Sequence, residues 1–130
     1  MLILTIRTDK PEAEIGLYDD DRLLVSDSWQ AHRALAETLH SRIETLLKGQ
    51  YKTLADIGGI AAFQGPGSFT GLRIGLTVAN TLAYALGIPV VATQGDDWAA
   101  SGTGRLLQGD DDIVAMPHYG AEAHITQQKR

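Results

Sequence analysis

Gly65-Pro66-Gly67-Ser68-Phe69-Thr70-Gly71-Leu72-Arg73-Ile74-Gly75 is where the chain passes from one kind of regularity to another. Before it, Ile57 to Phe63 is a short apolar run suited to a buried strand. After it, helical character continues to about Leu86, and Gly87 is placed to cap the helix. A short β-branched run, Ile88 to Thr93, comes next, with Pro89 tolerated near a strand's first residues. A strand, a helix and a strand in that order predict a parallel crossover, and parallel strands need helices over their faces. The stretch therefore reads as the centre of an α/β fold.

Working toward the N-terminus, Leu2 to Ile6 is continuously apolar and suits a strand covered on both faces. Ala13 to Tyr18 and Arg22 to Trp29 flank the acidic turn Asp19-Asp20-Asp21, so the first three strands are predicted to form an antiparallel meander. From Ala31 to Lys48, Leu35, Leu39, Ile43, Leu46 and Leu47 recur at helical spacing, Arg33, Glu37, Glu44 and Lys48 collect opposite them, and Gly49 is placed to end the helix. Toward the C-terminus, Asp96 to Leu107 reads as a third helix with Asp96 or Asp97 as N-cap, although Gly102 and Gly104 oppose it. Asp110-Asp111-Asp112 precedes a brief apolar run from Ile113 to Met116, read as a short strand, and Pro117 and Gly120 open an irregular tail. The expected organisation is a mixed sheet with packed helices over residues 1–108, and a short strand and tail over 109–130.

Composition narrows the function classes. At 130 residues and 44% hydrophobic content the chain can bury one core, and with no cysteine it makes neither disulfides nor thiolate metal sites. The opening Met-Leu-Ile-Leu-Thr-Ile is too short for a signal-peptide core and is interrupted by Arg7 and Asp9, and no run approaches the length of a membrane span. The expectation is a soluble protein of the reducing cytoplasm. A net charge of −5 gives a field that repels polyphosphate, so autonomous nucleic-acid binding is not expected; Lys129 and Arg130 are a terminal pair that solvation explains.

A glycine-rich turn entering a helix presents backbone N–H groups to an anion, which makes Gly65, Gly67, Ser68, Thr70 and Gly71 candidate anion-binding residues. Against this, Gly71-Leu72-Arg73 stands where a phosphate-binding loop has Gly-Lys-Ser/Thr, and the glycines equally suit a tight turn and close helix–sheet packing. His32, His40, His118 and His124 have no chelating spacing, and Ser68 lies directly beside Gly67, outside the Gly-x-Ser-x-Gly elbow. Trp29 and Trp98 stand apart from basic clusters and read as core or interface aromatics.

The second helix itself is unusual. Between Thr70 and Leu86 its only charged residue is Arg73, and Arg73, Thr77, Asn80, Thr81 and Tyr84 fall on one narrow polar strip. Gly71, Gly75, Ala79 and Ala83 recur every fourth position and permit close approach of another helix. The first helix carries its own stripe, Ala34, Thr38, Ser41 and Thr45. Either that stripe receives the second helix within the chain, or both helices join a bundle with another chain.

The eleven residues from Gly65 to Gly75, set between the fourth strand and second helix, resemble the signature of the TsaB (YeaZ) family, and the order of elements resembles that family from residue 1 to about 100. The resemblance implies a ribonuclease H-like half-domain of the actin/Hsp70 kinase-like ATPase type. It further implies a non-catalytic partner of the transferase TsaD in forming N6-threonylcarbamoyladenosine at position 37 of tRNA, with a TsaE-like ATPase or a second copy as further partners and no cofactor. The surface implied is Ala34, Thr38, Ser41, Thr45, Leu72, Arg73, Leu76, Thr77 and Asn80. The paired-histidine metal motif of TsaD-type enzymes is lacking, which allies the chain with the partner rather than the transferase. Two departures stand out. Ile6-Arg7-Thr8-Asp9 replaces the family's Ile-Asp-Thr-Ser, setting a cation where actin-like ATPases place a magnesium-organising carboxylate, with Asp9 two residues further on. The family's second half-domain is also expected to be absent. The alternative readings are a minimal nucleotide phosphohydrolase completed by dimerisation, and a homodimeric structural protein.

Overall fold

The computed structural model describes residues 1–118, apart from the side chains of His32 and Phe69. Leu2–Arg7 forms β1, the central strand: it pairs antiparallel with β2 (Glu12–Asp19) and parallel with β4 (Ile57–Phe63). β3 (Arg22–Gln30) and β5 (Val90–Thr93) close the two sides, giving the order β3-β2-β1-β4-β5. Because side chains alternate along a strand, β1 feeds two cores. Leu4 and Ile6 enter the larger one with Ala13, Ile15 and Leu17 of β2, while Ile3 joins Ala61, Val91 and Leu106 in a smaller one. The predicted acidic turn joins β2 to β3, with Asp20 left-handed at φ 57° and its carboxylate 2.7 Å from the N-terminal amine.

Two helices lie over the larger core. α1 (Leu35–Gly49) follows a 3₁₀ turn at His32–Ala34 and buries the five leucine and isoleucine positions picked out by its periodicity. It does end at Gly49, but the left-handed residue is Tyr51, at φ 57° and almost fully exposed. α2 (Phe69–Leu86) ends on Gly87 at φ 68°, as predicted, and Ile88 N–H donates to the Ala83 carbonyl across that cap.

On the opposite face, α3 (Trp98–Leu107) packs against β4 and β5. Gly102 has a packing reason to be in a helix: a Cβ there would stand 2.5 Å from that of Ala61. Asp97 holds the N-cap position without a side-chain capping bond, and backbone bonds from Trp98 to Gly95 and Ser101 to Asp97 make the entry instead.

The short strand expected over Ile113–Met116 does not form. Residues 110–118 run as irregular chain along the edge of β5 and beside α2: Asp111 and Asp112 meet β5 chiefly through their carboxylates, with one backbone bond from Asp112 N–H to the Val90 carbonyl, and Ala115 is held by the Asn80 side chain. The tail from 119 onward, including His124, lies outside the described residues. Among the described residues no helix is long and apolar enough to cross a membrane.

Candidate functional site: the glycine turn and the outer face of the second helix

The turn from β4 into α2 is a zone of close contacts. It begins with a cis Gly65–Pro66 peptide and Gly65 at φ 115°. A Cβ on Gly65 would overlap the His118 carbonyl, and one on Gly67 would overlap Asp9. At Gly71 it would stand 2.5 Å from the Thr8 carbonyl, and at Gly75 it would overlap the Thr8 hydroxyl. Thr8, itself buried, donates its hydroxyl to the Gly71 carbonyl at 2.7 Å, and Ser68 N–H donates to the Asp9 carbonyl at 3.0 Å. Close packing thus accounts for all four glycines. Of the candidate anion-binding residues, Ser68 and Thr70 are exposed and line, with Gly71, Lys10 and Pro11, a groove of about 240 Å³. Gly65 and Gly67 are engaged by His118 and Asp9, and Ser68 makes no side-chain capping bond.

Arg7 and Asp9 form a pair at the C-terminal end of β1. The guanidinium donates through Nε to Oδ1 at 2.7 Å and through Nη2 to Oδ2 at 3.2 Å, and its central carbon stands 3.9 Å over the Phe63 ring, which meets Trp98 edge-on. The Asp9 side chain is only 7% exposed. The hydrogen bond to Asp9 holds the Arg7 pKa above its ordinary value against the opposing effect of burial. Both carboxylate oxygens are thereby committed to arginine. Among the described residues no group of three or more metal-ligating side chains comes together.

The helix surfaces correct two expectations and decide between alternatives at a third point. Leu72 and Leu76 are core residues, at 0% and 3% exposure, so they do not belong to a surface: at 100° per residue they stack on the sheet side with Ala79 and Ala83. Within the stripe Gly71, Gly75, Ala79, Ala83, the two glycines serve contact with Thr8 just past β1, and the two alanines are buried. Finally, the stripe Ala34, Thr38, Ser41, Thr45 does not receive α2. It lies on the flank of α1 toward β3, where the Trp29 indole N–H donates to Thr38 at 3.0 Å and the neighbouring Arg42 pairs with Asp27 at 3.0 Å. Ala34, Ser41 and Thr45 are exposed there. It is Ala36 that borders α2, in an open groove of about 420 Å³ with Thr70, Arg73, Ile74, Thr77 and Val78.

The polar strip of α2 is exposed as predicted at Arg73, Thr77, Thr81 and Tyr84, the last at 91%. Asn80 is half-buried and has a specific task. Its Nδ2 donates to the Ala115 carbonyl at 3.1 Å and its Oδ1 accepts from the Ala115 N–H at 2.7 Å, which pins residues 113–118 beside the helix. Gln64 completes the attachment, donating its side chain to the Met116 carbonyl and accepting from His118 N–H. Val114 and Met116 are thus held next to Arg73 and Thr77 around a hollow of about 170 Å³. Periodicity gave no signal for these two, because they reach the helix through an irregular segment.

A family model described as TsaD, tRNA N6-adenosine threonylcarbamoyltransferase, matches residues 29–100. A protein of that description from Geotalea uraniireducens is 31% identical over 106 residues, covering 69% of this chain and 31% of the relative. The tRNA threonylcarbamoyladenosine biosynthesis protein TsaB of Bacillus subtilis is 32% identical over 109 residues, covering 84% and 47%. That of Escherichia coli is 30% identical over 123 residues, covering 85% and 50%. YeaZ from Pseudomonas aeruginosa superposes with a TM-score of 0.66 at 32% identity over 72% of this chain and 43% of that one. Thermus thermophilus RuvC, at 14% identity and a TM-score of 0.52, shares the fold alone. The chain spans between 31% and 50% of the length of these curated relatives. With its mixed five-stranded sheet, three helices and ribonuclease H-like topology, the chain belongs to the TsaB (YeaZ) family of tRNA threonylcarbamoyladenosine biosynthesis proteins.

Proposed function

We propose that the chain is a non-catalytic partner of a TsaD-like transferase in the formation of N6-threonylcarbamoyladenosine at position 37 of tRNA. The observation that carries this reading is the outer face of α2. Thr70, Arg73, Thr77, Thr81 and Tyr84 stand exposed on a helix with a single charged residue, beside half-buried Ile74 and Val78. A face of small polar and apolar groups costs little to desolvate and suits protein association better than catalysis. The Arg7–Asp9 pair supports the non-catalytic part, since it occupies both oxygens of the carboxylate nearest the glycine turn. Residues 1–108 form the unit that would dock, and tRNA modification would place it in the cytoplasm.

Co-purification of the full chain with its cognate TsaD-like protein, followed by native mass measurement, tests the association and its stoichiometry. Depletion should lower the modified adenosine in tRNA. If the two proteins do not associate and the modification is unchanged on depletion, the reading fails.

A further inference from the structure

The two edges of the sheet are protected in different ways. β3 carries its own charges: Arg22 pairs with Asp19, and Asp27 with Arg42. β5 is Val90-Val91-Ala92-Thr93, uncharged, without proline and buried throughout. An edge strand of that composition exposes a row of N–H and C=O groups ready to pair with another chain. Here the outward groups of Val90 and Ala92 are all occupied. Val90 N–H donates to Asp111 Oδ1 at 3.2 Å, and the Val90 carbonyl accepts from Asp112 N–H at 2.8 Å. Ala92 N–H donates to Asp112 Oδ2 at 2.9 Å, and the Ala92 carbonyl accepts from Arg105 Nη1 at 3.3 Å.

Arg105 of α3 fixes the arrangement. It donates Nη2 to Asp112 Oδ1 at 2.5 Å, Nη1 to Asp112 Oδ2 at 3.0 Å and Nε to Asp110 Oδ2 at 3.0 Å. The acidic segment thus takes the place of a sixth strand beside β5, largely through its side chains. Its exit is strained: Ile113, β-branched and three-quarters exposed, sits at φ 68°, a conformation such residues rarely adopt. The segment holds that conformation while Asp111 Oδ1 accepts from both Val90 and Ile113 N–H groups.

We propose that Asp111, Asp112 and Arg105 guard β5 against antiparallel pairing with β5 of a second copy of this chain. A second copy is the natural intruder, because a twofold axis beside the edge would give the same four backbone groups partners on both strands at once. The guard is independent of any contact made by the outer face of α2.

Sedimentation of the full chain over a range of concentrations, with amide exchange read at Val90 and Ala92, tests this in Arg105→Ala and Asp112→Ala. Both variants should self-associate at least tenfold more tightly than the unaltered chain. Their Val90 and Ala92 amides should exchange at least tenfold faster when dilute and regain protection when concentrated. Arg105→Gln, which keeps a donor but cannot bridge two carboxylates, covers the case in which either alanine variant fails to fold, and should fall between them and the unaltered chain. Folded variants that sediment like the unaltered chain at every concentration overturn the proposal. So does association that leaves the two amides unprotected.

Discussion

Gly75 of α2 and Thr8 at the end of β1 stand so close that no side chain fits between them, and the Thr8 hydroxyl is already committed to the Gly71 carbonyl one turn earlier. This contact sets the distance between helix and sheet. Gly75→Ala must push α2 away or displace a buried threonine, at a cost of about 1–3 kcal/mol in urea denaturation. Thr8→Ala removes the obstructing atoms, so the double variant should be more stable than the sum of the single losses predicts. Additive losses would show that the contact is not the constraint.

Arg7 and Asp9 should behave as a unit. Arg7→Ala leaves the 7%-exposed Asp9 carboxylate without its forked donor, and is expected to cost about 2–3 kcal/mol. Removing Asp9 as well should recover part of that loss, measured in a double-mutant cycle by chemical denaturation. An Arg7→Ala variant as stable as the unaltered chain would contradict the pairing.

Asp112 gives the fold a defined response to acid. The Arg105 hydrogen bond, helped by Ala92 N–H, holds its pKa below the ordinary 3.8. A carboxylate whose folded pKa is depressed contributes stability that is present above the unfolded value and disappears as pH falls through the folded one. The contribution should therefore persist at neutral pH and be lost below 3.8. Carboxyl NMR titration should find Asp112 below that value, and closer to it in Arg105→Ala.

The proposed association discriminates between the two helix stripes. Thr77→Arg and Tyr84→Ala alter exposed positions of α2 and are expected to weaken binding of the TsaD-like partner by about tenfold, on the order of 1–2 kcal/mol. Thr45→Arg, on the β3 flank of α1, should leave it unchanged. Calorimetric titration separates these outcomes, and equal losses at both stripes would return α1 to the interface.

Asn80→Ala removes the donor and the acceptor that hold Ala115. A loss of about 1–2 kcal/mol is expected, with faster exchange of the Ala115 amide and with the amides of β4 unaffected.

Much of this architecture was legible in linear order. The apolar runs at 2–6 and 57–63 became β1 and β4, the acidic triplet at 19–21 became a turn, and Gly87 became a left-handed cap, because each depends on a residue's own conformational preference or on a strict local period. What failed to show depends on which surface meets which. Leu72 and Leu76 looked like possible surface residues because periodicity defines a face without saying what covers it. The stripe on α1 left open a seat for α2 or a bundle with another chain, because small residues permit close approach wherever they point. Val114 and Met116 read as part of a short strand, and an irregular segment has no period to show that they lie beside α2.

The sequence by itself determined the order of the elements, the family signature between Gly65 and Gly75, and the cation at position 7, all carried by local chemistry and spacing. Tertiary structure alone decided that Gly71 and Gly75 of α2 serve Thr8 and Gly67 of the turn serves Asp9, that Arg7 closes on Asp9, and that three residues distant from β5 in sequence complete its edge. Those outcomes rest on contacts between segments that meet only once the sheet has assembled, where steric fit and hydrogen-bond geometry choose among pairings that the sequence leaves equally open.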